Sequence, residues 1–434
     1  MNFEEMYKAK LQTAAEVAEN LQSGWLIGTD ANASQPDGLL NAFAEQVRKT
    51  DLHGIKVFTL NDVYPYAFYS DADLAKRITG ISWFSGKGAR GAVNGGFADY
   101  IPTNYSDTPS HIRREYDYDA VCIAVSPMDK HGYFSCGTAS SLMQAYQEKA
   151  RHIYVEVNRF VPRAVRGYQL HVSEVDAIIE NDHELPVLPA SELDETSRTI
   201  GNYIAELIPD GACIQLGIGA IPDAVGMALR TKHDLGIHTE MFTDSMVELI
   251  ACGAVNNSRK QIHPGTSVTT FAYGSKRIYD YIDDNPAIEL LPVDYVNDPH
   301  VICQLDNFMS INAAVEVDFY GQVCAESVGR KHISGTGGQL DFVRGATHSK
   351  GGKSFIAFTS TAKHGTVSKI RPILTPGACV STGKNDVDYI VTEYGVAHLR
   401  GRSYAERARQ LISIAHPDFR DELTFDAKKN GILI

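Results

Sequence analysis

At 434 residues the chain is longer than one hydrophobic core usually grows, so two domains are expected. With 44% apolar and 21% charged residues it has the make-up of a globular protein and not of a disordered or fibrous one. A formal charge of -13 excludes a general nucleic-acid binder, which carries a basic surplus or a basic face; any polyanion must be held locally by placed cations and backbone amides.

The seven cysteines, Cys122, Cys136, Cys213, Cys252, Cys303, Cys324 and Cys379, are scattered and never spaced as C-x-x-C. That spacing excludes the usual zinc and thioredoxin-like patterns and points to a reducing compartment. The opening MNFEEMYKAK has no basic n-region followed by an apolar stretch, and no window reaches membrane-span length. A cytoplasmic protein without a membrane partner is the expectation.

In chain order, Phe3, Met6, Leu11, Ala14, Val17, Ala18 and Leu21 fall at helical spacing, with Gly24 as the stop, which predicts one helix over 3–21. SGKGARGAVNGG (85–96) is rich in glycine and carries Lys87 and Arg90, so it either holds a phosphate tail or forms a mobile loop. VCIAVSP (121–127) and HIYVEVN (152–158) are short continuous apolar runs, the pattern of strands buried on both faces of an α/β sheet. NDHELPVLPASELDE (181–195) interrupts with prolines and acids and marks the domain boundary, giving domains over 1–190 and 191–434.

The second half opens on strand ACIQL (212–216), a glycine turn, Pro222 at an expected helix start, and an apolar-striped helix to about Leu229. Further strands are expected at 268–273, 288–293, 355–359 and 388–392. No fixed-period repeat is present, which argues against solenoids and propellers.

Several stretches can carry chemistry. LGIGAIPDAV (216–225) leads from a strand through glycines into a helix, as half of a dinucleotide fingerprint does, but the third glycine and a following acid-ended strand are missing. What remains is a choice between a tight turn without a ligand and a helix N-terminus offering N–H groups to an oxyanion or phosphate. In HTEMFTDSMVEL (238–249), Ser245 and Glu248 spell an S-x-x-E capping box for a helix running to Gly253, which leaves Glu240 just outside on the strand-to-helix turn. Glu240 is therefore either a surface turn residue or a site carboxylate. SGTGGQLDFVRGA (334–346) makes a tight turn or an anion nest before a helix, and STAKHG (360–365) offers Lys363 as a placed cation or a solvated one. His364, His398 and His416 have no metal-ligand spacing, and no metal site is expected.

Taken in order, QLGIGAIPDAV, HTEMFTDSMVEL, INAAVEVDFYGQV, SGTGGQLDFVRGA, STAKHG and VTEYGVAHLRG, with SPMDKHGYFSCG (126–137) in the first half, resemble the acetyl-CoA hydrolase/transferase family. Within it the chain is most similar to 4-hydroxybutyrate and butyrate/acetate CoA-transferases. The resemblance implies two open α/β domains of related fold with the active site at their interface, and no cofactor beyond coenzyme A as substrate. Carried over residue by residue, it makes Glu240 the catalytic glutamate. It places the backbone of Gly217, Ile218, Gly219, Ala220 and Ile221, and of Gly338, near the thioester, and Asn312 and Lys363 at CoA contacts. Asn297, in YVNDP, corresponds to a family active-site asparagine. One departure is Ser245, where many relatives carry glycine.

The activity so implied transfers CoA between a short-chain acyl-CoA (butyryl, propionyl or 4-hydroxybutyryl) and a free acid such as acetate, by ping-pong through a glutamyl-CoA thioester. A carboxylate with a reference pKa of about 4.3 needs no general base to act as a nucleophile, consistent with the lack of a Ser-His-Asp or Cys-His arrangement. The alternatives are an acyl-CoA hydrolase using the same glutamate, a nicotinamide-dependent oxidoreductase using the glycine turn, and a non-catalytic binding protein. A homodimer or higher homo-oligomer is the default for enzymes of this kind.

Overall fold

The computed structural model describes residues 2–189 and 191–434. The chain divides into two compact units, one spanning 1–189 with 268–296 and the other 190–267 with 297–434. Ala190, the last residue before the expected boundary, lies outside the described residues. The chain also crosses back: 268–296 joins the first unit because its backbone is bonded there. The Ser140 N–H donates to Thr270 O, the Ala272 N–H to Thr138 O, the Leu290 N–H to Arg166 O and the Val293 N–H to Ser141 O. The strands expected at 268–273 and 288–293 form as Ser267–Thr269, Phe271–Ala272 and Ile288–Leu290.

The first unit is built on seven strands: β1 (Leu26–Ala31), β2 (Ile55–Leu60), β3 (Ile78–Ser82), β4 (Asp99–Tyr100), β5 (Ala120–Val125), β6 (His152–Val157) and β7 (Ala177–Glu180). Their order is β4-β3-β2-β1-β5-β6-β7, and every neighbouring pair is parallel. Every residue of β5 is buried, as expected of a central parallel strand covered on both faces.

The single helix expected over 3–21 is two helices, α1 (Phe3–Lys10) and α2 (Ala14–Ala18). Asn2 with Glu5 and Thr13 with Glu16 each form a reciprocal capping box, so a second helix start sits in the middle of the apolar pattern. Between them Leu11 leaves the helix to bridge Ile178 of β7. Helix α3 (Asp37–Lys49) buries Leu39, Leu40, Phe43, Ala44 and Val47 on one face, each large side chain contributing about 1.5–3 kcal/mol of burial. The buried Glu156 of β6 accepts from the Gly38 and Leu39 N–H groups at 3.2 and 2.9 Å, satisfying its first turn. The stretch 85–96, weighed as a phosphate cradle or mobile loop, is helix α4 (Lys87–Gly95), which buries Ala89 and Ala92 and ends at Gly96 with φ +75°.

The second unit carries α5 (Glu195–Glu206), β8 (Cys213–Leu216), α6 (Ala220–Ala228), β9 (Gly236–Ile237), α7 (Asp244–Ala251), β10 (Phe308–Ala313), α8 (Gln339–His348), β11 (Lys353–Ala357), β12 (Tyr389–Thr392) and β13 (Gly395–His398). Its sheet order is β9-β8-β10-β11-β12-β13. The first five are parallel and β13 runs antiparallel at the edge. From β8 the chain goes to β9 on one side and later to β10 on the other. The β8/β10 gap is therefore the topological switch point, where open α/β sheets form a crevice at the carboxyl ends of their strands. Each unit is thus an open α/β sheet with one such switch, between β1 and β5 in the first. No helix among the described residues is long and apolar enough to cross a membrane.

Candidate active site

Beyond β9 the His238 N–H still donates to Ile214 O of β8 at 3.2 Å, and the Thr239 hydroxyl donates to Met241 O at 3.1 Å. The chain curls between these bonds, and Glu240 sits on the curl, partly exposed. Asn297 Nδ2 donates to Glu240 Oε2 at 2.8 Å, and the Gly338 N–H donates to the same carboxylate. Burial pushes the Glu240 carboxyl up to about 7, with the Asn297 and Gly338 donors pulling in the opposite direction.

The two donors are themselves held. Asn297 is fully buried, and its Oδ1 has no hydrogen-bond partner among the described residues; the next residue, Asp298, caps the helix Pro299–Ile302 by accepting from the His300 N–H. Gly338 is the N-cap of α8 with φ -96° and ψ 10°, angles open to any residue. Glycine is needed there for space, because a methyl group would overlap Glu240 Oε2 and Asn297 Nδ2.

The expected capping box at Ser245 does not form. Helix α7 starts two residues earlier, with Thr243 as N-cap and no side-chain cap bond. Inside the first turn Ser245 faces neighbours instead: its Oγ lies 2.9 Å from Thr243 Oγ1, it hydrogen-bonds Asp223 of α6, and it fills the space left by Gly226. Ser245 therefore ties the helix after the glycine turn to the helix after Glu240.

At the switch point the Gly217 N–H donates to Ile311 O at 2.9 Å, Ile218 is exposed, and Gly219 turns into α6 at φ +113°, a conformation that demands glycine. Helix α6 begins at Ala220, two residues before Pro222, which is tolerated in a first turn because that turn has no intrahelical acceptor for its N–H. Asn312, near the end of β10, is bonded to Gln215 and Ser310. The structure thus brings Glu240, Asn297 and Gly338 into contact, and joins Gly217–Ile221 to Asn312 across adjacent strand ends.

A family model described as the acetyl-CoA hydrolase/transferase N-terminal domain matches residues 1–189, and one for the C-terminal domain matches 274–427. The chain belongs to the acetyl-CoA hydrolase/transferase family. Among relatives, a succinyl-CoA:cyclohexane-1-carboxylate CoA transferase from Geobacter metallireducens is 46% identical, covering 99% of this chain and 97% of that protein. A 4-hydroxybutyrate coenzyme A transferase from Clostridium kluyveri is 43% identical, covering 99% of this chain and 100% of its own. Among solved structures, RipA from Yersinia pestis superposes with a TM-score of 0.95 at 41% identity, covering 100% of both chains. Family and fold therefore agree with what the ordered motifs implied.

Two family motifs lie elsewhere in the second unit. Lys363 is exposed at the tip of the hairpin Thr361–Ala362/Val367–Ser368, with φ +50°, and its hydrogen bonds are those its carbonyl accepts from Thr366 within the turn. The hairpin's base is anchored by Glu393 of the VTEYG motif, whose carboxylate accepts from the Ser360 N–H at 2.8 Å and the Ser360 hydroxyl at 2.6 Å. Sequence reasoning passed over Glu393, although an acid one residue beyond a buried strand was the available signal. Of the three histidines, His364 is exposed, His398 lies 3.2 Å from Asp388, and His416 caps the helix Pro417–Lys429.

Proposed function

We propose that this protein moves CoA between a short-chain acyl-CoA, such as butyryl-, propionyl- or 4-hydroxybutyryl-CoA, and a free carboxylic acid such as acetate, through a glutamyl-CoA thioester on Glu240. The observation that carries the reading is the Glu240 carboxylate at a strand end, partly exposed, with Asn297 Nδ2 at 2.8 Å and the Gly338 N–H on it. The transferase names of the relatives at 46% and 43% identity support it.

The chemistry follows from where these donors point. Glu240 attacks the thioester carbonyl, the C–S bond breaks, and a mixed anhydride and CoA thiolate result. This step is uphill, since a carboxylate leaves more readily than a thiolate. The thiolate then attacks the glutamyl carbonyl, expelling the acid and leaving Glu240 as a CoA thioester. In this reading Oε1 attacks, and Oε2, to which Asn297 donates at 2.8 Å, becomes the glutamyl carbonyl oxygen. When thiolate or acceptor acid adds to that carbonyl, the developing charge falls on Oε2 with the Asn297 donor in place, worth about 3–4 kcal/mol. For the substrate carbonyl, the N–H groups at the start of α6 serve the same purpose. The acceptor acid then runs the steps in reverse and restores the carboxylate. No group beyond CoA enters this cycle, and the long CoA body supplies binding energy away from the reacting carbon.

The test is a panel of butyryl-, propionyl- and 4-hydroxybutyryl-CoA with isotopically labelled acetate. Label entering acetyl-CoA at a rate far above CoA release in acetate-free buffer is the expected result. Equal CoA release with and without acetate would instead make the protein a hydrolase acting through the same glutamate.

A further inference from the structure

The geometry points to Gln215 as a positioning residue for the glycine turn Gly217–Gly219, an inference that rests on the CoA chemistry proposed above. Strands β8 and β10 are paired in parallel, with Gln215 opposite Ser310 and Leu216 opposite Ile311. Gln215 is 3% exposed and Ser310 is fully buried. Their side chains, with Asn312, close a polar ring: Ser310 Oγ donates to Gln215 Oε1 at 2.8 Å, Asn312 Nδ2 donates to Gln215 Oε1 at 3.2 Å and to Ser310 Oγ at 2.9 Å, and Gln215 Nε2 donates to Asn312 Oδ1 at 3.3 Å.

The ring sits where the backbone ladder runs out. The Gly217 N–H to Ile311 O bond is the last link between the two strands, and beyond it they part in opposite directions because this is the switch point. The turn passes close over the ring: a methyl on Gly217 would lie 3.4 Å from Ile311 O and 3.6 Å from Asn312 Oδ1. A largely buried polar ring whose members bond one another is stiff, and one left half-satisfied is costly, so the ring fixes the height at which the turn leaves the sheet. It also engages both N–H groups and the oxygen of Asn312, which holds that side chain in place under the turn. On this account Asn312 acts mainly through the turn, and Gln215, which carried no functional signal in the sequence, acts with it.

The experiment compares Gln215→Met, which keeps the shape and removes the polar atoms, and the milder Ser310→Ala with the wild type. Turnover is read as butyrate formed from butyryl-CoA with acetate or water as acceptor, so it does not depend on which acceptor is used. A positioning role predicts kcat lowered about 100-fold in Gln215→Met and about tenfold in Ser310→Ala, with KM for butyryl-CoA moving less than about threefold, because misplaced oxyanion donors cost transition-state binding. Two results would overturn it: a raised KM with kcat intact, which makes the ring a binding contact, or a lower Tm with kcat intact below the transition, which makes it only structural. Absence of free acid formed by the wild type from any acyl-CoA, with acetate or without it, would instead overturn the underlying functional reading.

Discussion

Each unit has a carboxylate near the carboxyl end of a parallel strand, and the two are treated in opposite ways. Asp30, in β1 of the first unit, is fully buried; it accepts from the Ala31, Leu142 and Met143 N–H groups at 2.8, 2.9 and 3.2 Å and from the Ser141 hydroxyl. Burial raises its pKa and these bonds oppose the rise. Glu240, beyond β9 of the second unit, is held by donors from two distant segments yet keeps part of its surface exposed. A sealed carboxylate staples a loop; one held by donors and still partly exposed is placed to react. Burial alone does not mark a catalytic acid, whereas donors combined with access do.

The contrast is broken most severely by Glu240→Gln. Acyl transfer should fall by about four orders of magnitude or more, since the nucleophile is gone. The fold should not suffer. The folded pKa of about 7 lies above the reference 4.5, so the carboxylate's cost is absent below pH 4.5 and complete above about pH 7. Denaturation at pH 8 should therefore find the variant more stable by up to about 3 kcal/mol; lower stability at that pH would contradict the assigned environment.

Gly338→Ala comes next. The backbone angles accept alanine, so the loss is one of space beside Glu240 and Asn297. Steady-state kinetics should show kcat down by about 100- to 1000-fold with thermal unfolding little changed. For Asn297→Ala a loss of about 100-fold is expected, together with a diagnostic pH shift. In the proposed cycle only ionised Glu240 attacks, so kcat/KM should fall as pH drops through about 7 in the wild type. Removing a donor to the charged form raises that midpoint, and a pH–rate profile moving to lower pH would count against the contact.

Asp30→Asn sharpens the comparison from the other side. It should lower stability by about 1–3 kcal/mol, because an amide NH2 in place of either oxygen cannot accept and strands two buried donors, and leave the pH midpoint of turnover where it was. The smallest effect is expected at Lys363→Ala, a rise in KM for acyl-CoA of about threefold that disappears at high salt, as befits an exposed cation.

The elements carrying the site were largely readable. The run ACIQL followed by glycines, and the run containing Glu240 followed by a helix, show as strand–turn–helix units because buried parallel strands are apolar and the turns demand glycine at points such as Gly219. Other features required three dimensions. Asn297 is 57 residues from Glu240, and no local pattern announces a bond across that distance. The return of 268–296 to the first unit is fixed by backbone bonds to 138–141 and 166, which leave no compositional trace. Gln215 looks like a polar interruption of a strand until Ser310 and Asn312 face it. Two misreadings had visible counter-signals: T-x-x-E at Thr13–Glu16 announced the second helix start, and Ala89 and Ala92 three residues apart gave α4 a buried face despite its glycines.

The central claim is that Glu240 becomes covalently bonded to CoA sulfur during turnover. Incubation with butyryl-CoA, reduction with borohydride and peptide mapping by mass spectrometry test it directly. The account predicts that the Glu240 side chain is recovered as the alcohol, only after exposure to acyl-CoA and in no other carboxylate. Recovery of unmodified Glu240 from enzyme that is turning over would contradict it.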